Sequence, residues 1–117
     1  INIGSTAGMV AYSNGSIYCA TKAAVRTFTD GLRLDVMASD IKVTTIQPGI
    51  VQTPFSEVRF HGDAERASKV YEGIDALQAE DIANAIVFAD SQPKHVQIAE
   101  MTIMATQQGN GFTMVRK

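Results

Sequence analysis

The chain has little of what usually announces a function. It carries a single cysteine, Cys19, so no internal disulfide can form and a secreted fold stapled by disulfides is excluded. Its two histidines, His61 and His95, stand far apart with no second cysteine beside either, which leaves no metal-ligand spacing and argues against a zinc module. Neither sign of charge dominates, since 10 Lys and Arg face 12 Asp and Glu for a formal net charge of -2 at pH 7. Such a balance draws neither phosphate backbones nor anionic membranes, so nucleic-acid and membrane partners are not expected. No apolar run approaches the ~18 residues of a membrane span, and no charged, apolar and small-residue succession marks a signal peptide. The expectation is a soluble, cytoplasmic protein.

What is present is 117 residues, 45% of them hydrophobic, enough for one domain with a buried core and too few for two ordinary ones. The chain opens on Ile1-Asn2-Ile3, in the middle of what reads as a buried strand, with no turn or cap before it. A native terminus more often shows a few polar, loosely held residues. Residues 1–117 are therefore expected to form a single unit that is the C-terminal portion of a longer protein, its N-terminal half absent.

Ile1 to Ser5 reads as a short strand, and Ser13-Asn14-Gly15 as a turn. From Ser16, the expected N-cap, to about Ala38 no proline interrupts, and Val25, Phe28, Leu32 and Val36 recur at helical spacing as the expected apolar face. Ala20, Ala23 and Ala24 let another backbone come close, and Gly31, which costs a helix about 1 kcal/mol relative to Ala, predicts close packing at that point. Ile41 to Ile46 reads as a β-branched strand stopped by Pro48-Gly49. An irregular stretch to Gly62, a polar amphipathic segment from Asp63 to Glu72, a helix from Ala79 to Ala89 and a last strand within Val96–Ala105 complete the reading. Strands alternating with long crossovers predict the α/β class, with parallel strands and helices packed on the sheet faces.

The chemistry concentrates in a few places. In a helix, Tyr18 and Lys22 lie on one face, so a phenol and an ammonium can approach a common ligand. A nearby cation favours the phenolate and fits the pair for proton exchange, while the alternative is an ordinary exposed helix pair. Ser5 stands at the carboxyl end of the first strand, where open α/β sheets bind ligands, and can hold a substrate oxygen for Tyr18 to protonate. Its alternative is a hydroxyl that caps the loop. Pro48-Gly49 also follows a strand and borders the same crevice.

Taken together, Gly4-Ser5-Thr6-Ala7-Gly8 after a strand, Tyr18-x-x-x-Lys22, and Pro48-Gly49-Ile50-Val51-Gln52-Thr53 after the next strand resemble the short-chain dehydrogenase/reductase family. The resemblance covers essentially the whole chain, as the C-terminal half of a Rossmann-type doubly wound parallel sheet. It implies that Ser5 holds the substrate oxygen, Tyr18 passes its proton, and Lys22 lowers the tyrosine pKa and binds the nicotinamide ribose. Pro48, Gly49 and Ile50 would border the nicotinamide, with the Val51 backbone and the Thr53 side chain on its carboxamide. A glycine-rich phosphate turn, the residue that separates NAD from NADP, and an asparagine of the catalytic group are missing by that comparison.

The segments Phe55 to Asp63 and Pro93-Lys94-His95-Val96 resemble, more narrowly, the branch of NADP-dependent 3-hydroxy acid dehydrogenases that oxidise serine and allo-threonine. That likeness implies NADP, with NAD not excluded, a small-molecule substrate, and a homodimer or homotetramer formed through the Tyr18 helix. Arg59 offers a physical basis, because a guanidinium binds a carboxylate through two parallel hydrogen bonds. Its alternative is a structural ion pair with Glu57 or Asp63. A carbonyl or 3-oxoacyl reductase shares the same motifs, and a non-catalytic half-domain is the reading from a different class. Cys19 is expected to pack as a small hydrophobe, His61 and His95 to be surface residues, Met9 and Tyr12 to border the substrate or simply pack, and Met101 and Met104 to fill the core.

Overall fold

A computed structural model describes residues 1–117. Three short runs rich in β-branched residues form one parallel sheet: β1 (Asn2–Ile3), β2 (Thr45–Pro48) and β3 (Glu100–Ile103), in the order β1-β2-β3. Asn2 faces Thr45 and Ile3 faces Ile46, while Thr45 to Pro48 pair in step with Glu100 to Ile103. The helices are α1 (Ser16–Asp35), α2 (Phe55–Arg59), α3 (Ala64–Lys69) and α4 (Ala79–Asp90). The fold is thus of the expected α/β class with parallel strands. No helix is long and apolar enough to cross a membrane.

Several boundaries differ from the sequence reading. The first strand spans Asn2–Ile3 rather than Ile1 to Ser5, because the chain turns at Ser5 into a 3-10 turn, Thr6–Gly8. The second runs Thr45–Pro48, not Ile41 to Ile46. Pro48 belongs to the strand because its missing N–H faces the side where β1 has already ended; the Ile46 carbonyl on that side accepts the last bond, from Gly4 N at 2.8 Å. The stretch expected to be irregular contains α2, and α1 stops at Asp35 rather than Ala38. Ser16 is the first helical residue and not the cap; Gly15 precedes it, with no side-chain cap.

Of the face expected for α1, Val25, Leu32 and Val36 are half-buried, and Phe28 departs from it. Phe28 is 64% exposed, and the fully buried positions are Cys19 and Thr29. Polar anchors hold the helix as well: Asn2 Nδ2 donates to Thr29 Oγ1 at 2.9 Å, and Arg33 donates to the carbonyls of Val43 and Ala99. No atom of the chain outside α1 comes within 4 Å of a Cβ placed at Gly31, so the expected close packing there is absent. Cys19 packs as a buried free thiol, and His61 and His95 are exposed. Met101 and Met104 are half-buried rather than fully in the core.

Candidate active site

Because the strands are parallel, the carboxyl ends of β1 and β2 point to one side of the sheet, and a cavity of about 420 Å³ opens there. That volume suits a small ligand. Ser5, Tyr18, Lys22, Pro48, Gly49, Ile50, Val51, Thr53 and Arg59 all line it, although they come from three separate stretches of chain. Ser5 sits at the turn after β1, with extended backbone, and its Oγ accepts from Ala7 N at 3.1 Å. The hydroxyl therefore caps the turn, which does not prevent it from meeting a substrate oxygen with its own proton.

Tyr18 is half-buried in the first turn of α1. Its pKa is raised, first by burial; the Ser5 hydroxyl lowers it, Tyr12 raises it, and the Arg59 guanidinium lowers it. The cation that favours the phenolate is thus Arg59, whose Cζ lies 5.4 Å from the Tyr18 ring centroid. Lys22 Nζ lies 5.9 Å from that centroid and donates to the Ile3 carbonyl at 3.3 Å, so it is turned toward the strand end.

The wall after β2 presents unused backbone groups. Val51 bridges Leu77, with Gln52 N donating to the Leu77 carbonyl and Leu77 N to the Ile50 carbonyl. This pattern leaves Val51's own N–H and C=O facing away from the bridge, and neither makes a hydrogen bond within the chain. A donor and an acceptor side by side fit a primary carboxamide, the group a nicotinamide carries. Buried Gln108 steadies the segment by accepting from Ile50 N at 2.9 Å. Thr53 Oγ1 accepts from Phe55 N at 3.3 Å, and the Tyr71 hydroxyl donates to the Thr53 carbonyl at 3.3 Å.

Arg59 makes no ion pair, with Glu57, Asp63 or any other carboxylate, so the structural pairing weighed from the sequence does not form. It lies instead against the rings of Tyr12, Tyr18 and Phe60, at 5.5, 5.4 and 5.9 Å. Tyr12 lines the cavity; Met9 does not, its sulfur accepting from Thr102 Oγ1. Phe55, Phe60, Phe112 and Met114 add to the apolar lining, and sequence reasoning did not place them there. No local signal marks them, because each reaches the cavity from a loop or short helix that the tertiary fold brings round.

A serine, a tyrosine and a lysine around a cavity at the carboxyl edge of a parallel sheet can exchange a proton with a substrate oxygen. Comparison with known proteins gives the lineage: residues 1–64 match the family model described as short chain dehydrogenase. The chain belongs to the short chain dehydrogenase family. Within it, the chain is 41% identical over 117 residues to the "NADP-dependent 3-hydroxy acid dehydrogenase" of Schizosaccharomyces pombe, covering 100% of this chain and 45% of that protein. It is 38% identical over 118 residues to the "Serine 3-dehydrogenase" of Agrobacterium fabrum, covering 100% of this chain and 47% of the other. A solved structure described as the closed form of serine dehydrogenase complexed with NADP+ superposes with a TM-score of 0.91 at 42% identity, covering 99% of this chain and 47% of that one. This short chain dehydrogenase sequence spans about half the length of the relatives it matches.

Proposed function

We propose that the chain is the catalytic, C-terminal half of a cytoplasmic NADP-dependent dehydrogenase that oxidises the hydroxyl of a small 3-hydroxy acid such as serine or allo-threonine. The observation that carries the reading is the meeting, in one cavity, of Ser5, Tyr18 and Lys22 with an Arg59 guanidinium that no carboxylate of the chain neutralises. The relatives' names support both the cofactor and the substrate class. A buried, unpaired cysteine fits a reducing compartment.

The residues divide the work by their chemistry. Arg59 takes the substrate carboxylate through two parallel hydrogen bonds. That anchors the C3 hydroxyl between Ser5 Oγ, which holds the oxygen, and Tyr18, which exchanges its proton. Oxidation needs the phenolate and reduction the phenol, so oxidation accelerates as pH rises, and the raised Tyr18 pKa places that rise at higher pH. Lys22 would bind the nicotinamide ribose, the Val51 backbone and the Thr53 side chain would hold the carboxamide, and Pro48, Gly49 and Ile50 would form the adjoining wall. Bound NADP supplies the hydride acceptor. The product is a 3-oxo acid; from serine or threonine it is a 2-amino-3-oxo acid, a type prone to lose carbon dioxide unaided. Exposed Ile17, Phe28 and Leu34 on α1 support assembly as a homodimer or homotetramer.

The test uses the assembled enzyme, meaning this chain together with a cofactor-binding half. NADP+ reduction is measured with 3-hydroxypropionate and with its neutral methyl ester, in wild type and Arg59→Ala. A preference for the free acid, lost in Arg59→Ala through a raised KM, is the expected result. Equal turnover of acid and ester would replace it with a carbonyl or 3-oxoacyl reductase, which the aromatic lining would suit. Absence of turnover with every substrate would leave a non-catalytic half-domain.

A further inference from the structure

Gln47 has no exposed surface, and its carboxamide joins the two outer strands to α1. Its Oε1 accepts the backbone N–H of Ser5 at 2.7 Å, and its Nε2 donates to Glu100 Oε2 on β3 at 3.2 Å. Glu100 is gripped from α1 by Arg26, whose Nε donates to Oε2 at 2.7 Å and Nη2 to Oε1 at 3.0 Å. A backbone N–H only donates and a carboxylate only accepts, so these two neighbours leave the amide a single orientation. Gly4 makes the fit possible: a Cβ there would stand 2.1 Å from Gln47 Oε1.

We infer that Gln47, oriented by the Arg26–Glu100 pair, is a positioning residue that sets where the Ser5 hydroxyl stands. The sheet holds the chain only as far as Gly4, whose N–H is the last to reach the β2 backbone. Ser5 is the next residue, and the Gln47 amide is the one group of β2 that holds its backbone. Losing that tether frees Ser5 N–H and lets the turn carrying Oγ drift relative to Tyr18. This role rests on Ser5 holding the substrate oxygen, as proposed above.

In the assembled enzyme, Gln47→Leu keeps roughly the same bulk and removes both hydrogen bonds. The expected result is a fall in kcat on the order of 100-fold, the scale of an ångström's misplacement of a reacting group, with the Kd for NADP+ unchanged by fluorescence titration. Ser5→Ala alone and Ser5→Ala with Gln47→Leu are expected to turn over equally, since a positioning residue then has nothing to position. Additive losses in that cycle, or full kcat in folded Gln47→Leu, would overturn the role. Full activity of Ser5→Ala would instead overturn the reading of Ser5 itself. If Gln47→Leu does not fold, Glu100→Gln removes the charge that orients the amide while leaving Ser5 and Gln47 in place. A smaller fall in kcat that vanishes in the Ser5→Ala background supports the role, and an unchanged kcat overturns it.

Discussion

Gly8→Ala tests how Ser5 and Tyr18 are held together. The turn that carries Ser5 packs against α1 at Gly8, where an added Cβ would lie 2.6 Å from Lys22 C, 2.7 Å from Lys22 O and 2.9 Å from Ala23 N. Ordinary van der Waals contact starts at 3.4 Å. All three atoms are helix backbone, so no rotamer change relieves the clash, and the turn and α1 must part by about 0.8 Å. Overpacking of this kind costs about 1–3 kcal/mol of stability. The same displacement separates Ser5 from Tyr18 and Lys22, and a shift near 1 Å costs on the order of 100-fold in turnover. Urea unfolding reads the first effect, and NADP+ reduction with L-serine by the assembled enzyme reads the second. Wild-type stability and turnover in Gly8→Ala would show that the turn is not seated on α1, and the arrangement of the site would have to be redrawn.

Other expectations follow from single groups. Thr45 Oγ1 is buried without a hydrogen-bond partner, so Thr45→Val, of the same shape, is expected to raise stability by about 1 kcal/mol in urea unfolding, and a loss would contradict the burial. The Arg26 guanidinium beside Glu100 holds its carboxyl below the usual range, so the pair's stabilisation is complete above the unfolded carboxyl pKa and lost as pH falls through the lower folded value. Glu100→Gln should flatten that acid limb, and an unchanged acid limb would remove the pair from the account. Arg59 favours the Tyr18 phenolate, so Arg59→Ala should push the tyrosine pKa further up and move the rising limb of the oxidation rate to higher pH. A limb that stays in place, or moves down, would show that Arg59 does not act on Tyr18.

The parts legible in the sequence are those with local causes. Tyr18 and Lys22 share a helix face because of helical spacing, and Ser5 and Pro48-Gly49 fall at strand ends because parallel strands carry their loops on one edge. Strand lengths were not legible, since pairing partners set them. Ile41 to Thr44 has strand composition, yet Val43 N donates to the Gln97 side chain and Thr44 Oγ1 to the Ile98 carbonyl, outside the ladder. The face of α1 was legible in part: Val25, Leu32 and Val36 are half-buried, but the hydrophobic period also marks exposed Phe28 and does not reveal the hydrogen bonds of Thr29, Arg26 and Arg33. α2 is five residues long, too short for periodicity to show. Gln47 and Gln108 gain their importance from partners 42 and 58 positions away, and no local pattern encodes that.

The most direct measurement is NADP+ reduction by L-serine with Tyr18→Phe against wild type in the assembled enzyme, NAD+ serving as the comparison cofactor. Tyr18→Phe removes only the phenol oxygen of a half-buried side chain, so folding is expected to stay intact. Loss of proton exchange at that position is expected to slow turnover by about 100-fold or more, the usual contribution of a positioned acid or base. A Tyr18→Phe enzyme that keeps turnover within a few-fold of wild type would contradict the central claim that this phenol moves the substrate's proton.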